Sequence, residues 1–344
     1  MIAARVGAVV LAGAVAACGA HRGGSSSSSV ERAPAAAAAD EGGYTQAQPT
    51  TTTTTAPGTL TAGIWDDNMN FDVFSAWFAQ RSNLGGLPKL SALEQAEARE
   101  RMGARSAREK LDIALVVDVT GSMGDELDYL KAELQSIADA VDRDHPDAQT
   151  RWALISYQDD GDTYVTRVHD FGDLASAKAA LHATPLGGGG DYPESVEDAL
   201  EATVALGWRD NSNVARMAFW IADAPHHDVE EGRVTSTLRL AARQDVHLYP
   251  IAASGADPLT EVTMRAAAQL TGGRYLFLTD DSGVGNAHAE PSIPCYSVTT
   301  LGDAMVRMVD VELSGVWQDP AADDVIRTAG HPSAGRCAVD VASN

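Results

Sequence analysis

Asp118, Thr120 and Ser122 occupy alternate positions directly after the apolar run Ile-Ala-Leu-Val-Val at 113–117. One carboxylate and two hydroxyls at i, i+2 and i+4, on a turn containing Gly121, offer hard oxygens to a small divalent cation. Mg²⁺ suits them first, with Ca²⁺ or Mn²⁺ as alternatives. The same residues have a plainer use, since Thr and Ser also cap helices. Two further stretches present oxygen in comparable settings: residues 187–194 read Gly-Gly-Gly-Gly-Asp-Tyr-Pro-Glu, and the run 217–222 ends at Asp223. Asp191 is a candidate ligand in the first of these. With Glu194 three residues on and Pro193 between, it is also spaced as a capping box for a helix over 193–206. The two uses overlap, because one carboxylate oxygen can cap while the other faces an ion.

Such residues need a sheet to hold them. Apolar or alternating runs predict strands at 111–118, 151–157, 163–169, 215–222, 246–252 and 274–279. Helical periods fall between them at 124–142, 173–182, 193–206, 232–244 and 259–270, with another at 299–313. This alternation predicts an α/β fold, a doubly wound, mostly parallel six-stranded sheet flanked by helices. The connection over 158–162 is too short for a crossover helix, so 151–157 and 163–169 should pair as a hairpin, giving one antiparallel edge strand. In an open sheet of this kind ligands bind beyond the carboxyl ends of the strands, where Asp118 and Asp223 fall.

Asp118-x-Thr120-x-Ser122 resembles the Asp-x-Ser/Thr-x-Ser signature of von Willebrand factor type A domains, and the Gly-rich loop and strand-ending Asp223 follow in the family's order over residues 110–280. The resemblance implies a metal-ion-dependent adhesion site. Asp118, Thr120, Ser122, Asp191 and Asp223 would be its residues, and a protein partner would complete the metal shell with an Asp or Glu carboxylate. The loop departs from the family's usual pattern in carrying Asp191 where a Thr is usual, and it is similar to a branch reading Gly-Gly-Gly-Asp-x-Pro-Glu. A directly bound Asp191 would add negative charge and lower the ion's appetite for an acidic partner.

The ends of the chain carry a different message. Residues 1–18 combine Arg5, a short apolar stretch and Val-Ala-Ala-Cys ending at Cys18, which reads as a signal peptide and resembles a bacterial lipobox. Cys18 would then be the lipidated residue, and Gly19 after it resembles lipoproteins sorted to the outer membrane of the diderm cell envelope. Residues 19–58 are low-complexity Ser, Ala and Thr, a tether reaching roughly 35 Å. The expected layout continues with a helical extension over 59–108, opened by a capping box at Ser91 and Glu94, then the A domain over 109–313 and a tail over 314–344. Cys295 and Cys337 form an even pair suited to a disulfide in an exported protein. Closing their loop of about 43 residues would be worth on the order of 4 kcal/mol. Two free thiols are the alternative.

The formal net charge is −23, from 48 acidic and 25 basic residues. It opposes nucleic acid as a partner, whose phosphates need a basic patch. Serine hydrolysis at Ser122 lacks the Gly-x-Ser-x-Gly elbow. A metallohydrolase using His226, His227 and Asp228 lacks any His-Glu-x-x-His pattern, and the two histidines are expected at the rim or in solvent. A metal-independent envelope scaffold is the remaining alternative to a metal-linked, non-enzymatic binder.

Overall fold

The computed structural model describes residues 59–65, 70, 76, 79, 90–103, 106–190, 192–283, 288, 295–333 and 336–337. Contacts divide the chain into two units, Met1–Gln46 and Ala47–Asn344, and every described residue lies in the second. Cys18, the tether over 19–58 and Asp191 lie outside the described residues.

β2 (Lys110–Asp118) lies inside the sheet, and each of its residues after Lys110 is buried. Leu111, Ile113, Leu115 and Val117 enter one core cluster, and Ala114 and Val116 the other, as the two-residue period of a strand requires. β3 (Gln149–Tyr157) pairs parallel on one side and β5 (Val214–Ala222) on the other. β6 (Val246–Ala252) and β7 (Tyr275–Thr279) extend the parallel run beyond β5. β4 (Thr166–Gly172) closes one edge antiparallel to β3. That hairpin was legible, although β4 begins three residues later than expected.

Helices cover both faces. α1 (Ala92–Gly103) opens with the expected capping box, in which Ser91 N donates to Glu94 Oε2 at 2.7 Å and Glu94 N to Ser91 Oγ at 3.2 Å. α2 (Gly124–Asp144) packs Leu127, Leu130, Leu134 and Ile137 onto one face of the sheet, with α3 (Leu174–Ala183) beside it. α4 (Val196–Val204), α5 (Glu231–Arg243) and α6 (Pro258–Thr271) cover the other. α6 is capped by Asp257, which accepts from Thr260 N at 2.7 Å.

The sheet has nine strands, not six. β1 (Thr61–Trp65) inserts antiparallel between β7 and β8 (Tyr296–Thr300), so the segment expected to belong to a helical extension is an internal strand. Thr61 Oγ1 donates to Thr279 O at 3.0 Å, and Leu60 O accepts from Leu301 N at 2.8 Å. Gly63 is required there: it stands opposite Phe277, whose ring a Cβ would strike. α7 (Leu301–Ser314) follows β8 and returns to the α2 face. β9 (Arg327–Ala329), in the expected tail, pairs antiparallel with β8. β10 (Pro332–Ser333) and β11 (Arg336–Cys337) form a separate two-stranded pair. A single antiparallel edge strand was therefore too few. Cys295 is disulfide-bonded, while the side chain of Cys337 is outside the described residues. Among the described residues no helix is long and apolar enough to cross a membrane.

Candidate metal centre

The chain leaves β2 for β3 on one side of the sheet and reaches β5 on the other, so the strand order reverses there. That is the switch point at which open α/β sheets bind ligands. Asp118 ends β2, and Asp223 directly follows β5. Asp118 has no exposed surface, and Asp223 is 5% exposed.

Asp118 is held chiefly by Thr120, with the Tyr157 hydroxyl also acting on its carboxyl. Its Oδ1 accepts from Thr120 N at 2.9 Å and Thr120 Oγ1 at 2.7 Å. Thr120 Oγ1 in turn lies 3.3 Å from Ser122 Oγ, whose residue is exposed. Asp118 Oδ2 is buried without a hydrogen-bond partner among the described residues. Burial, with the charge of Asp223 beside it, pushes the Asp118 carboxyl up to about 7. A buried carboxylate oxygen left unpaired is costly, and a cation removes that cost. Thr120 and Ser122 do not cap α2, whose start carries no side-chain cap.

The Gly-rich loop closes over these residues through its backbone. Gly187 N donates to Val119 O at 3.1 Å, and Gly121 N to Gly188 O at 3.4 Å. Gly188 and Gly189 have φ of +89° and +79°, a region that suits glycine. A Cβ on Gly188 would collide with the Asp162 carboxylate, which accepts from Gly189 N at 3.0 Å. A Cβ on Gly189 would come within 3.3 Å of both Glu194 Oε1 and Thr120 Cβ. Gln158 also donates through Nε2 to Gly187 O.

Glu194, which the sequence offered only as part of an alternative capping box, lies beside the candidate site. α4 begins at Val196 rather than 193, so Glu194 precedes the helix and is not the third residue of a capping box. Its side chain is 3% exposed, and Oε2 is buried without a partner among the described residues. Burial, reinforced by the charges of Asp118, Asp159, Asp162 and Asp223, pushes its carboxyl up to about 9.

The histidines after Asp223 have partners of their own. His226 is buried at 1% exposure, not solvated, and its Nδ1 lies 3.4 Å from Thr263 Oγ1. His227 stands between Glu197 and Asp159, with Nδ1 at 2.9 Å and Nε2 at 3.3 Å. Asp159 also accepts from Ser195 Oγ at 3.0 Å. These contacts tie the loops after β3 and β5 to α4.

The donor set fits a hard, oxygen-ligated divalent cation: two hydroxyls in line, buried Asp118 and Asp223 behind them, and two orphaned carboxylate oxygens at Asp118 and Glu194. Among the described residues no three His, Cys, Asp or Glu side chains converge into a ready cage.

Residues 112–279 match the family model of the von Willebrand factor A domain. The match covers just under half of the chain and includes every described member of the candidate site. The chain is also similar to part of an alpha-protein kinase of Dictyostelium discoideum, 30% identical over 127 residues, which are 36% of this chain and 20% of that protein. A putative ariadne-like RING finger protein of Acanthamoeba polyphaga mimivirus is 34% identical over 127 residues, 12% of its length. The chain thus spans a fifth or less of these relatives. Two crystal structures of the SpaC pilus adhesin from Lactobacillus rhamnosus GG are similar at 16% and 14% identity, with TM-scores of 0.36 and 0.38. They match 48% and 61% of this chain, and 28% and 30% of the adhesin.

Proposed function

We propose that the A domain binds one divalent cation and, through it, a protein partner, without turnover. The residues that would hold the ion are Asp118, Thr120, Ser122, Asp191 and Asp223, with Mg²⁺ the first choice and Ca²⁺ or Mn²⁺ alternatives. Bound there, the ion supplies a Lewis-acid anchor for one oxygen of the partner, an Asp or Glu carboxylate in the family's usual mode. The chain's own contribution is orientation: Asp118 fixes the Thr120 hydroxyl, and Thr120 the Ser122 hydroxyl. The observation that carries this reading is the buried Asp118 Oδ2, orphaned beside Asp223 at the switch point.

A hydrolase reading is less well supported. His227 is engaged by two carboxylates and His226 is buried against Thr263, so neither is poised as a general base at Ser122. Calorimetric titration of the protein with Mg²⁺, Ca²⁺ and Mn²⁺ tests the ion. One-site binding that Asp118→Ala abolishes, with unchanged far-UV dichroism, is the expected result; undiminished affinity in that variant would sink the site.

We further assign Cys18 as a lipid anchor at the bacterial envelope, in the outer membrane, and Cys337 as the disulfide partner of Cys295. Cys18→Ser should shift the protein out of the membrane fraction or block its processing. Unchanged fractionation and mature mass would remove the anchor.

A further inference from the structure

The loops at the carboxyl ends of the strands, residues 118–124, 158–165, 184–195, 223–230, 253–257 and 280–283, contain no Lys or Arg. Histidines aside, every ionisable side chain with a charge at neutral pH in them is an Asp or Glu. Asp160 and Asp228 are exposed, and Asp162 and Asp257 are half-buried. Of the basic residues adjoining this face, Arg327 pairs with Asp281 at 3.0 Å and Arg233 with Glu230 at 3.4 Å, while exposed Arg167, at the start of β4, stacks over Tyr164 at 3.8 Å and keeps its charge. Arginines gather instead at the opposite end of the sheet, where Arg151 and Arg209 meet Asp112 and Arg108 meets Asp245.

An ion does not reverse this polarity. The carboxylates of Asp118 and Asp223 match the two positive charges of a divalent cation, which leaves the rim carboxylates Asp160, Asp162, Asp228 and Asp257 uncompensated by it. The same face also exposes apolar surface. Leu186, Tyr192 and Val229, at 38%, 48% and 88% exposure, lie on these loops and account for three of the seven large hydrophobics exposed among the described residues. Tyr192 is fixed in position by donating from its hydroxyl to Gly255 O at 3.2 Å. Exposed apolar groups ringed by charge of one sign mark a surface for a partner of the opposite sign.

We infer that the partner is a protein surface rich in Lys and Arg, set around one oxygen donor for the ion and an apolar anchor that meets Tyr192 and Val229. This rests on the cation-linked reading above but changes the partner it selects: an acidic surface of the kind the family's carboxylate contact suggests would be repelled by the rim. Complementary charge would govern the on-rate and its salt dependence more than the final affinity.

The test uses the full chain with Mg²⁺ and two synthetic peptides of equal length, each with one central Trp and one Asn, flanked by Lys in one and by Glu in the other. The Lys peptide should bind, more weakly as salt rises, and the Glu peptide should not. Asp160→Lys with Asp228→Lys should weaken Lys-peptide binding about tenfold or more, on the scale of one to two lost ion pairs. Glu97→Lys with Asp139→Lys, on exposed faces of α1 and α2, changes net charge equally and should leave binding within about twofold. Equal losses in the two double variants would show bulk attraction only. That result, failure of the Lys peptide to bind, or Glu-peptide binding of similar strength overturns the inference. Mg²⁺ titration of the same samples separates this from failure of the ion reading, because the rim substitutions leave every proposed ligand in place.

Discussion

Asp112 and Asp118 point to the same face of β2, six residues apart, and neither has exposed surface, yet their surroundings oppose each other. Arg151 donates to Asp112 Oδ1 from Nε at 2.9 Å and to Oδ2 from Nη2 at 2.6 Å. Arg209 adds its backbone N and its Nε, each at 2.9 Å. Burial alone would raise the Asp112 carboxyl, but these two guanidiniums outweigh it and hold it below the usual range. Asp118 has the neutral donors Thr120 and Tyr157 but no guanidinium, and lies beside Asp223, so burial wins and its carboxyl rises to about 7. The amino end of the sheet spends its buried charge on holding the fold. The carboxyl end keeps charge that the fold itself does not satisfy, and an unsatisfied buried oxygen is what a ligand can use.

The largest way to break the comparison is Asp112→Ala. It strands two partly buried guanidiniums, and losing one partner of such a cluster should cost about 3 kcal/mol in denaturant unfolding, with cation affinity unchanged. The acid response separates the two residues further. A carboxyl lowered by folding contributes stability above its unfolded value near ~3.9 and loses it as pH falls through its folded value, so wild type should lose an increment of stability at acid pH that Asp112→Asn lacks. Melting curves of the two proteins from neutral to strongly acid pH check this; parallel curves would refute it.

Next in size is the cation itself. At a concentration about 100 times its dissociation constant, Mg²⁺ should stabilise wild type by about 2.7 kcal/mol and Asp118→Asn not at all. Asn keeps an oxygen for Thr120 while losing the charge. For a carboxyl raised by folding the sign is reversed: its contribution is full at low pH, declines as pH climbs and is gone above about 7. Metal-free Asp118→Asn should therefore melt no lower than metal-free wild type at pH 8. A clear drop in its metal-free stability would show that Asp118 belongs to the structural end of the comparison.

The smallest effect concerns the loop that covers the carboxyl end. Gly188→Ala places a Cβ against Asp162 at φ +89°, which should cost about 2 kcal/mol and weaken cation binding by displacing the loop from Thr120. The same substitution at Gly190, where a Cβ meets nothing within 4 Å, should do neither. Equal behaviour of the two variants would mean that loop geometry does not shape the site.

The central parallel strands and the Asp118, Thr120, Ser122 and Asp223 positions were readable from residue types because they depend on short-range rules. Strands buried on two faces read as apolar runs, and the oxygens sit at their carboxyl ends. Residues 246–252 were read at their observed bounds for that reason. β1 was not readable. Its five residues include a glycine whose only justification is the Phe277 ring more than two hundred positions away. The role of Glu194 was likewise hidden, since its spacing from Asp191 satisfies a local capping rule that the start of α4 at Val196 does not obey. Local sequence determined which central strands form and which oxygen-bearing residues end them. Which buried carboxylates find arginines and which stay orphaned was decided only by tertiary packing, because that depends on side chains brought together from strands and loops far apart in the chain.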